Sequence, residues 1–253
     1  MTVEDCLNAL QLPPESRVDQ RVPKKTLSEN GATTAAQRRL VQEGVEELRW
    51  VATLKPMTVG VPVYRDSNRE YLEVAVLSLR QREAAKGTKL LELVHRAIPY
   101  PVVLASSDAQ GTVSVSLAHK RWSKGEKAQT VVDGEVITET LDDQLAPELI
   151  KSFYSALPLA EQDRNTLYNL YQGWVDALVA LQTARTTGRF ALPRSAEHAA
   201  ERREALLACT RLSAEMASLK RSAGKEKQLA RKVELNLKLK QLAEAHAAAL
   251  KRL

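Results

Sequence analysis

Apolar and polar positions alternate most clearly between Tyr71 and Leu79, where YLEVAVLSL combines a two-residue period with β-forming side chains and predicts a strand. The same alternation returns over Thr112–Ala118, with Val113, Val115 and Leu117 on one face. The apolar run Pro101–Ala105 precedes it, and the turn-forming Asp108-Ala109-Gln110-Gly111 joins the two into a predicted hairpin. Trp50–Leu54 reads as a further strand, ended by Pro56; Thr58–Tyr64 reads as extended, with Gly60 and Pro62 limiting its pairing. Helical spacing appears elsewhere. Leu40, Gly44, Val45 and Leu48 share a face over Ala35–Leu48, with Thr33 or Thr34 available as a cap. Leu90, Leu91 and Val94 do so over Lys86–Ala97, which Ile98-Pro99-Tyr100-Pro101 terminates. A short amphipathic start, Val3–Leu10, stops at Leu12-Pro13-Pro14, and Val18–Leu27 reads as an extended basic arm. The order α-β-β-β-α-β-β predicts an α/β domain, a mixed sheet with helices packed on it.

Downstream, Lys120–Asp133 reads as a polar loop with a weak hairpin, and Asp142–Pro158 contains a short helix. Leu167, Leu170, Trp174, Leu178 and Leu181 form one face of a long helix over Glu161–Thr187, which Gly188 ends. From Ser195 the chain becomes rich in Ala, Glu, Lys, Arg and Leu. Ala205, Cys209, Leu212, Met216, Leu219 and Ala223 recur at coiled-coil spacing, and so do Leu235, Leu239, Leu242, His246, Ala249 and Leu253. Joined at Gly224, the two runs predict an antiparallel helical hairpin; a single bent helix pairing with another subunit is the alternative. The expected divisions are a mixed α/β domain over 1–150, a helical segment over 151–193 and a basic hairpin or coiled coil over 194–253.

Charge sharpens this division. The 253-residue chain carries a net +6, but 194–253 alone carries +7 and the remainder −1. A basic character confined to the tail points to an acidic partner, with nucleic acid the usual one. No apolar run reaches the roughly 20 residues of a membrane helix, and the start MTVEDCLNAL is acidic where a signal peptide is basic, so the expectation is a cytoplasmic chain without a membrane partner. Cys6 and Cys209 are far apart and make no metal spacing; buried reduced thiols are expected.

Motifs for catalysis are sparse. The chain has no G-x-x-x-x-G-K, G-x-S-x-G, H-E-x-x-H or helix-opening G-x-G-x-x-G, and His95, His119, His198 and His246 stand at no ligand spacing, so neither metal nor cofactor is expected. A metal nuclease needs an acid on one strand and acid-x-Lys on the next. Glu70 and Glu73 offer carboxylates, but Ala75 occupies the lysine position and Asp66 lies in a turn. The plainer reading makes Glu70 and Glu73 solvent-facing residues of an edge strand. His119-Lys120-Arg121-Trp122 gathers charge and a stacking face suited to phosphate at a strand end, or is a solvated terminus with Trp122 folded onto the core. Lys220, Arg221, Lys225, Lys227, Arg231, Lys232, Lys238 and Lys240 are opposed only by Glu226 and Glu234. They flank the hairpin turn as phosphate contacts or as an ordinary soluble coiled-coil surface, without interleaved aromatics for base stacking.

Several strings occur together: Val18-Asp19-Gln20-Arg21-Val22-Pro23-Lys24-Lys25, Leu48-Arg49-Trp50 with Leu54-Lys55-Pro56, and His95-Arg96-Ala97-Ile98-Pro99-Tyr100-Pro101-Val102-Val103. His119-Lys120-Arg121 and Arg231-Lys232-Val233-Glu234-Leu235-Asn236 follow. In this order the chain resembles the bacterial family catalogued as domain of unknown function 4391. The resemblance implies no catalytic residues. It implies a setting beside helicases and DNA methyltransferases in restriction-like, phage-defence neighbourhoods. The resulting expectation is a non-catalytic accessory subunit of a DNA-directed complex. Its nucleic-acid contacts would be Lys220, Arg221, Lys225, Lys227, Arg231, Lys232, His119, Lys120 and Arg121, and its protein partner a helicase or methyltransferase. A divergent metal nuclease of restriction-endonuclease-like fold is the alternative, and self-association through the coiled coil a third role.

Overall fold

The structure, a computed structural model, describes residues 1–83, 85, 87–123 and 129–253. Lys86, where the sequence places the start of a helix, and positions 124–128 of the polar loop lie outside the described residues. The chain forms two compact units, Met1–Gln182 and Thr183–Leu253.

The first unit begins with α1 (Val3–Ala9), closed at its start by a reciprocal Thr2–Asp5 capping box. Next come β1 (Arg17–Arg21), α2 (Lys24–Asn30), α3 (Ala35–Gly44), β2 (Val45–Leu54) and α4 (Pro56–Val59). The pair β3 (Tyr64–Arg65) and β4 (Glu70–Tyr71) leads into β5 (Val74–Gln81), α5 (Lys89–Ala97), β6 (Val102–Ser107) and β7 (Val113–Ala118). The pair β8 (Lys120–Trp122) and β9 (Thr130–Val132) precedes β10 (Ile137–Leu141), α6 (Pro147–Ser155) and α7 (Leu167–Thr187), whose last turn belongs to the second unit. One six-stranded mixed sheet runs β1-β2-β5-β6-β7-β10, with β5 and β6 parallel and the other neighbours antiparallel.

Both sheet faces are covered, so β6 opens as a continuous apolar run, whereas β7 keeps the alternation of Val113, Val115 and Leu117 with serines. Leu77, Leu79 and Leu104 pack with Leu27, Val41, Leu90, Leu93 and Val94 of α2, α3 and α5. On the other face Val103, Ala105, Val115 and Leu117 meet Cys6 of α1, Leu10 just past its end, Phe153 of α6 and Trp174 of α7. The Trp174 indole is fully buried, and its Nε1–H donates to Leu157 O at 2.8 Å. Cys6 and Cys209 are both buried free thiols, as their isolation in the sequence predicts.

The local departures from expectation have physical causes. The basic arm is β1 followed by α2, because Pro23 opens a helix readily when it stands at the boundary. Thr34 and Gln37 form the cap of α3, but the chain leaves the helix at Gly44; Val45 and Leu48 instead extend β2, which pairs with β5 from Val45↔Gln81 to Leu54↔Val74. Pro56 ends β2 but starts a single helical turn, so Thr58 and Val59 of the piece expected to be extended are helical, and Gly60 closes the turn at φ 65°, in the left-handed region. The long helix starts at Leu167 rather than Glu161, with Thr166 Oγ1 accepting from Asn169 N–H. Glu73 is not on an edge strand: it is buried at the entrance to β5, which lies between β2 and β6.

In the second unit α8 (Ala196–Lys225) starts at the Ser195 cap and α9 (Leu229–Leu250) returns against it. Ser213 meets His246 at 3.0 Å and Arg252 meets Glu204 at 3.2 Å, which fixes an antiparallel hairpin within one chain. Ala205, Cys209, Leu212, Ala223 and Ala249 are buried, as the coiled-coil spacing predicts. Gly224 does not break α8; the turn lies beyond it at Glu226–Gln228, because a helical glycine is tolerated at a cost of about 1 kcal/mol. Among the described residues no helix is long and apolar enough to cross a membrane.

Candidate functional site

Two groups of polar side chains stand out, one inside the first unit and one at the end of the hairpin in the second. The inner group forms around the C-terminal end of α5. Helix ends leave carbonyls without intrahelical partners, and Pro99 and Pro101 prevent α5 from continuing. Lys120, at the start of β8, supplies the missing donors. Its fully buried ammonium donates to Ile98 O at 2.7 Å and to His95 O. Burial lowers the lysine from its ordinary 10.5 to about 8. His95 is equally buried, with Nε2 at 2.9 Å from Ser116 Oγ; burial and then the Lys120 charge lower it to about 3. The string His95–Val103 and the string His119–Arg121 are therefore joined in space by the Lys120 side chain.

His119 belongs to a buried aromatic cluster. Its Nδ1 lies 2.6 Å from the Tyr71 hydroxyl, and the Tyr168 and Tyr171 rings stand 5.3 Å from its ring. Tyr71 also accepts the Lys120 N–H at 3.3 Å. The Tyr171 hydroxyl, carried by α7, accepts Ala118 N–H and lies 2.8 Å from Val102 O, so it bridges β6 and β7. Burial pushes both phenols up. Arg121 turns outward to Asp133 at 3.3 Å, and Asp133 also receives Arg69 at 3.0 Å.

Nearer the surface, Lys55 Nζ sits 2.9 Å from Glu73 Oε2, and Glu73 also acts electrostatically on the Tyr100 phenol. The pairing raises Lys55, while burial first and Glu73 second raise Tyr100. The Trp50 ring meets Tyr100 edge-on at 6.5 Å. Lys55 lies at the end of β2, Glu73 just before β5 and Tyr100 just before β6, so the sheet brings three distant strings to one place. Glu70 is engaged by Arg65. Among the described residues no group of three or more His, Cys, Asp or Glu side chains is arranged to hold a metal ion.

The hairpin group has the opposite character. Lys220, Arg221, Lys225, Lys227, Arg231 and Lys232 are all exposed, and the antiparallel pairing puts them around the turn. Glu226 shapes that turn: its Oε1 accepts the Lys227 and Gln228 N–H groups at 2.8 and 2.9 Å, and these bonds lower its pKa. Arg231 reaches Glu226 at 3.8 Å. Among the described residues no carboxylate lies within ion-pair distance of Lys220, Arg221, Lys225, Lys227 or Lys232.

Of the nine residues expected to contact nucleic acid, six thus lie exposed at the hairpin turn. His119 and Lys120 are buried, and Arg121 is partly exposed and paired with Asp133. Sequence reasoning missed Tyr71, Tyr171 and Asp133, whose partners are 48 to 69 residues away for the tyrosines and whose local patterns look like ordinary core or turn. The family described as "Domain of unknown function (DUF4391)" matches residues 10–245. No curated protein and no solved structure matches the chain.

Proposed function

The chain belongs to the DUF4391 family, and from that premise we propose that it is an accessory subunit of a DNA-directed, restriction-like defence complex. The first unit docks a helicase or methyltransferase partner, and the hairpin turn of the second unit contacts duplex DNA. The observation that supports this most directly is the group of exposed cations at one end of a stiff two-helix element, five of them without an ion-pair partner among the described residues. Such cations approach phosphates and release condensed counterions, giving sequence-independent affinity that falls with salt. The divergent-nuclease alternative draws less support, because the Glu73 carboxylate is paired with Lys55.

The test is duplex binding by the full chain, followed by fluorescence anisotropy across a salt series. Each phosphate contact contributes about 0.9 to the slope of log affinity against log salt, so Lys225→Gln, Lys227→Gln and Lys232→Gln together flatten it by up to about 2.7. An unchanged affinity and slope in the triple variant overturns the assignment.

A further inference from the structure

The α9 helix is apolar on two faces, and the hairpin uses only one. Leu235, Leu239, Leu242, His246 and Ala249 turn towards α8, at least partly shielded from solvent. Leu229, Val233 and Leu237 stand at i, i+4 and i+8 on the outward face and are 78%, 61% and 59% exposed. At 1.5 Å per residue they form a stripe about 12 Å long, three large aliphatic side chains in a row beside the turn. Lys232 and Lys240 border it, each three residues after a stripe leucine and each exposed.

We propose that this stripe docks an acidic amphipathic helix of a partner protein, with the partner's apolar residues on Leu229, Val233 and Leu237 and its carboxylates against Lys232, Lys240 and the turn cations. The combination selects the occupant. A phosphate backbone complements the lysines but offers nothing apolar to cover three aliphatic side chains, and isolated outward aliphatics at a DNA-facing surface would stay wet. A second copy offers the apolar face but sets one cationic turn region against another. An acidic helix satisfies both features, in the helix-in-groove manner read as i, i+4 anchors. The proposal rests on the accessory-subunit reading in one respect: it gives the hairpin a protein contact that shares Lys232 and the turn cations with the duplex, so the two compete for that end of the hairpin.

The experiment uses the full chain and a labelled helical peptide of about three heptads, with Leu at the a and d positions and Glu flanking them. A scrambled peptide of the same composition, duplex DNA and anionic phosphatidylglycerol vesicles serve as competing probes. The expected result is saturable binding of the patterned peptide alone among the two peptides. Val233→Ser or Leu237→Ser weakens it about tenfold, the loss of roughly one buried aliphatic side chain. Leu207→Ser, equally exposed on α8, leaves it unchanged. Equal binding of the scrambled peptide, or insensitivity to both stripe substitutions, overturns the proposal. So does vesicle binding with the same sensitivity, or a dimer by light scattering that Val233→Ser dissolves. The two readings separate through the duplex: peptide binding without duplex binding removes the DNA contact and keeps the docking face, and the reverse removes the docking face alone. All substituted side chains are exposed, and circular dichroism confirms that the helices persist.

Discussion

Replacing Lys120 by Met asks what a fully buried ammonium does at the end of α5. The side chain has similar length, loses both bonds to the His95 and Ile98 carbonyls, and removes the charge. The informative quantity is the dependence of the difference on pH. The folded-state value is lowered from 10.5 to about 8, so between those values the unfolded chain holds a proton that the folded chain has released. Stability contributed by this group therefore rises with pH across that window. Its slope approaches 1.4 kcal/mol per pH unit, and integration gives a gain of about 2 kcal/mol for the wild type relative to Lys120→Met between about pH 7.5 and 9.5. Urea unfolding of both proteins at several pH values in that range gives the difference directly. Tyr71 and Tyr171 are present in both proteins, so their own titration largely cancels. A difference that stays flat, or that moves against the wild type as pH rises, refutes the assignment of Lys120 as a charged cap held in a water-poor site.

Gly31→Ala should cost about 1–3 kcal/mol in urea unfolding, since a Cβ there meets Leu93 O at 2.6 Å and Ala97 Cβ at 3.0 Å; a stabilised variant contradicts the close approach of α2 to α5. Gly224→Ala should do the opposite and raise stability by up to about 1 kcal/mol, because the added methyl meets nothing within 4 Å inside α8; a loss of helicity by circular dichroism contradicts helix continuity there. His95 is lowered from 6.5 to about 3, so the unfolded chain takes up a proton in that interval that the folded chain refuses, and stability falls as pH falls through it. His95→Gln should remove that term, about 1.4 kcal/mol per pH unit at most, and acid unfolding at an unchanged pH midpoint would count against it.

Much of this fold is legible in the chain itself, where pattern and local chemistry agree. Val113, Val115 and Leu117 give β7 by alternation, and Asp108 shapes the turn before it, its carboxylate accepting the Gln110 and Thr112 N–H groups. Ala205, Cys209 and Leu212 mark the buried seam of the hairpin without any tertiary information. Boundaries failed where two periods overlap: Val45 and Leu48 satisfy a helical face and a strand, and only the partner strand β5 decides. The inner site was less visible still. Lys120 reads as surface charge because its acceptors are carbonyls of a helix 22 and 25 residues earlier, and backbone acceptors leave no trace in side-chain pattern. The exposed basic turn was legible because exposure is what unopposed charge predicts.

The covering of β6 and β7 by α6 and α7 also has a consequence for the order in which the chain is made. During synthesis β6 and β7 leave the ribosome well before the helices that cover their second face. Val103, Ala105, Val115 and Leu117 then wait for Phe153 and Trp174, and the bond from Tyr171 to Val102 O spans 69 residues. The nascent sheet therefore passes through a stage with one apolar face bare, which is when pairing between chains competes with folding. The α8–α9 hairpin follows α7 in the chain and closes on contacts between neighbouring helices, so it adds little to that delay. Fragments that end soon after β10 freeze the exposed stage, and an expression fragment of the sheet should extend through α7.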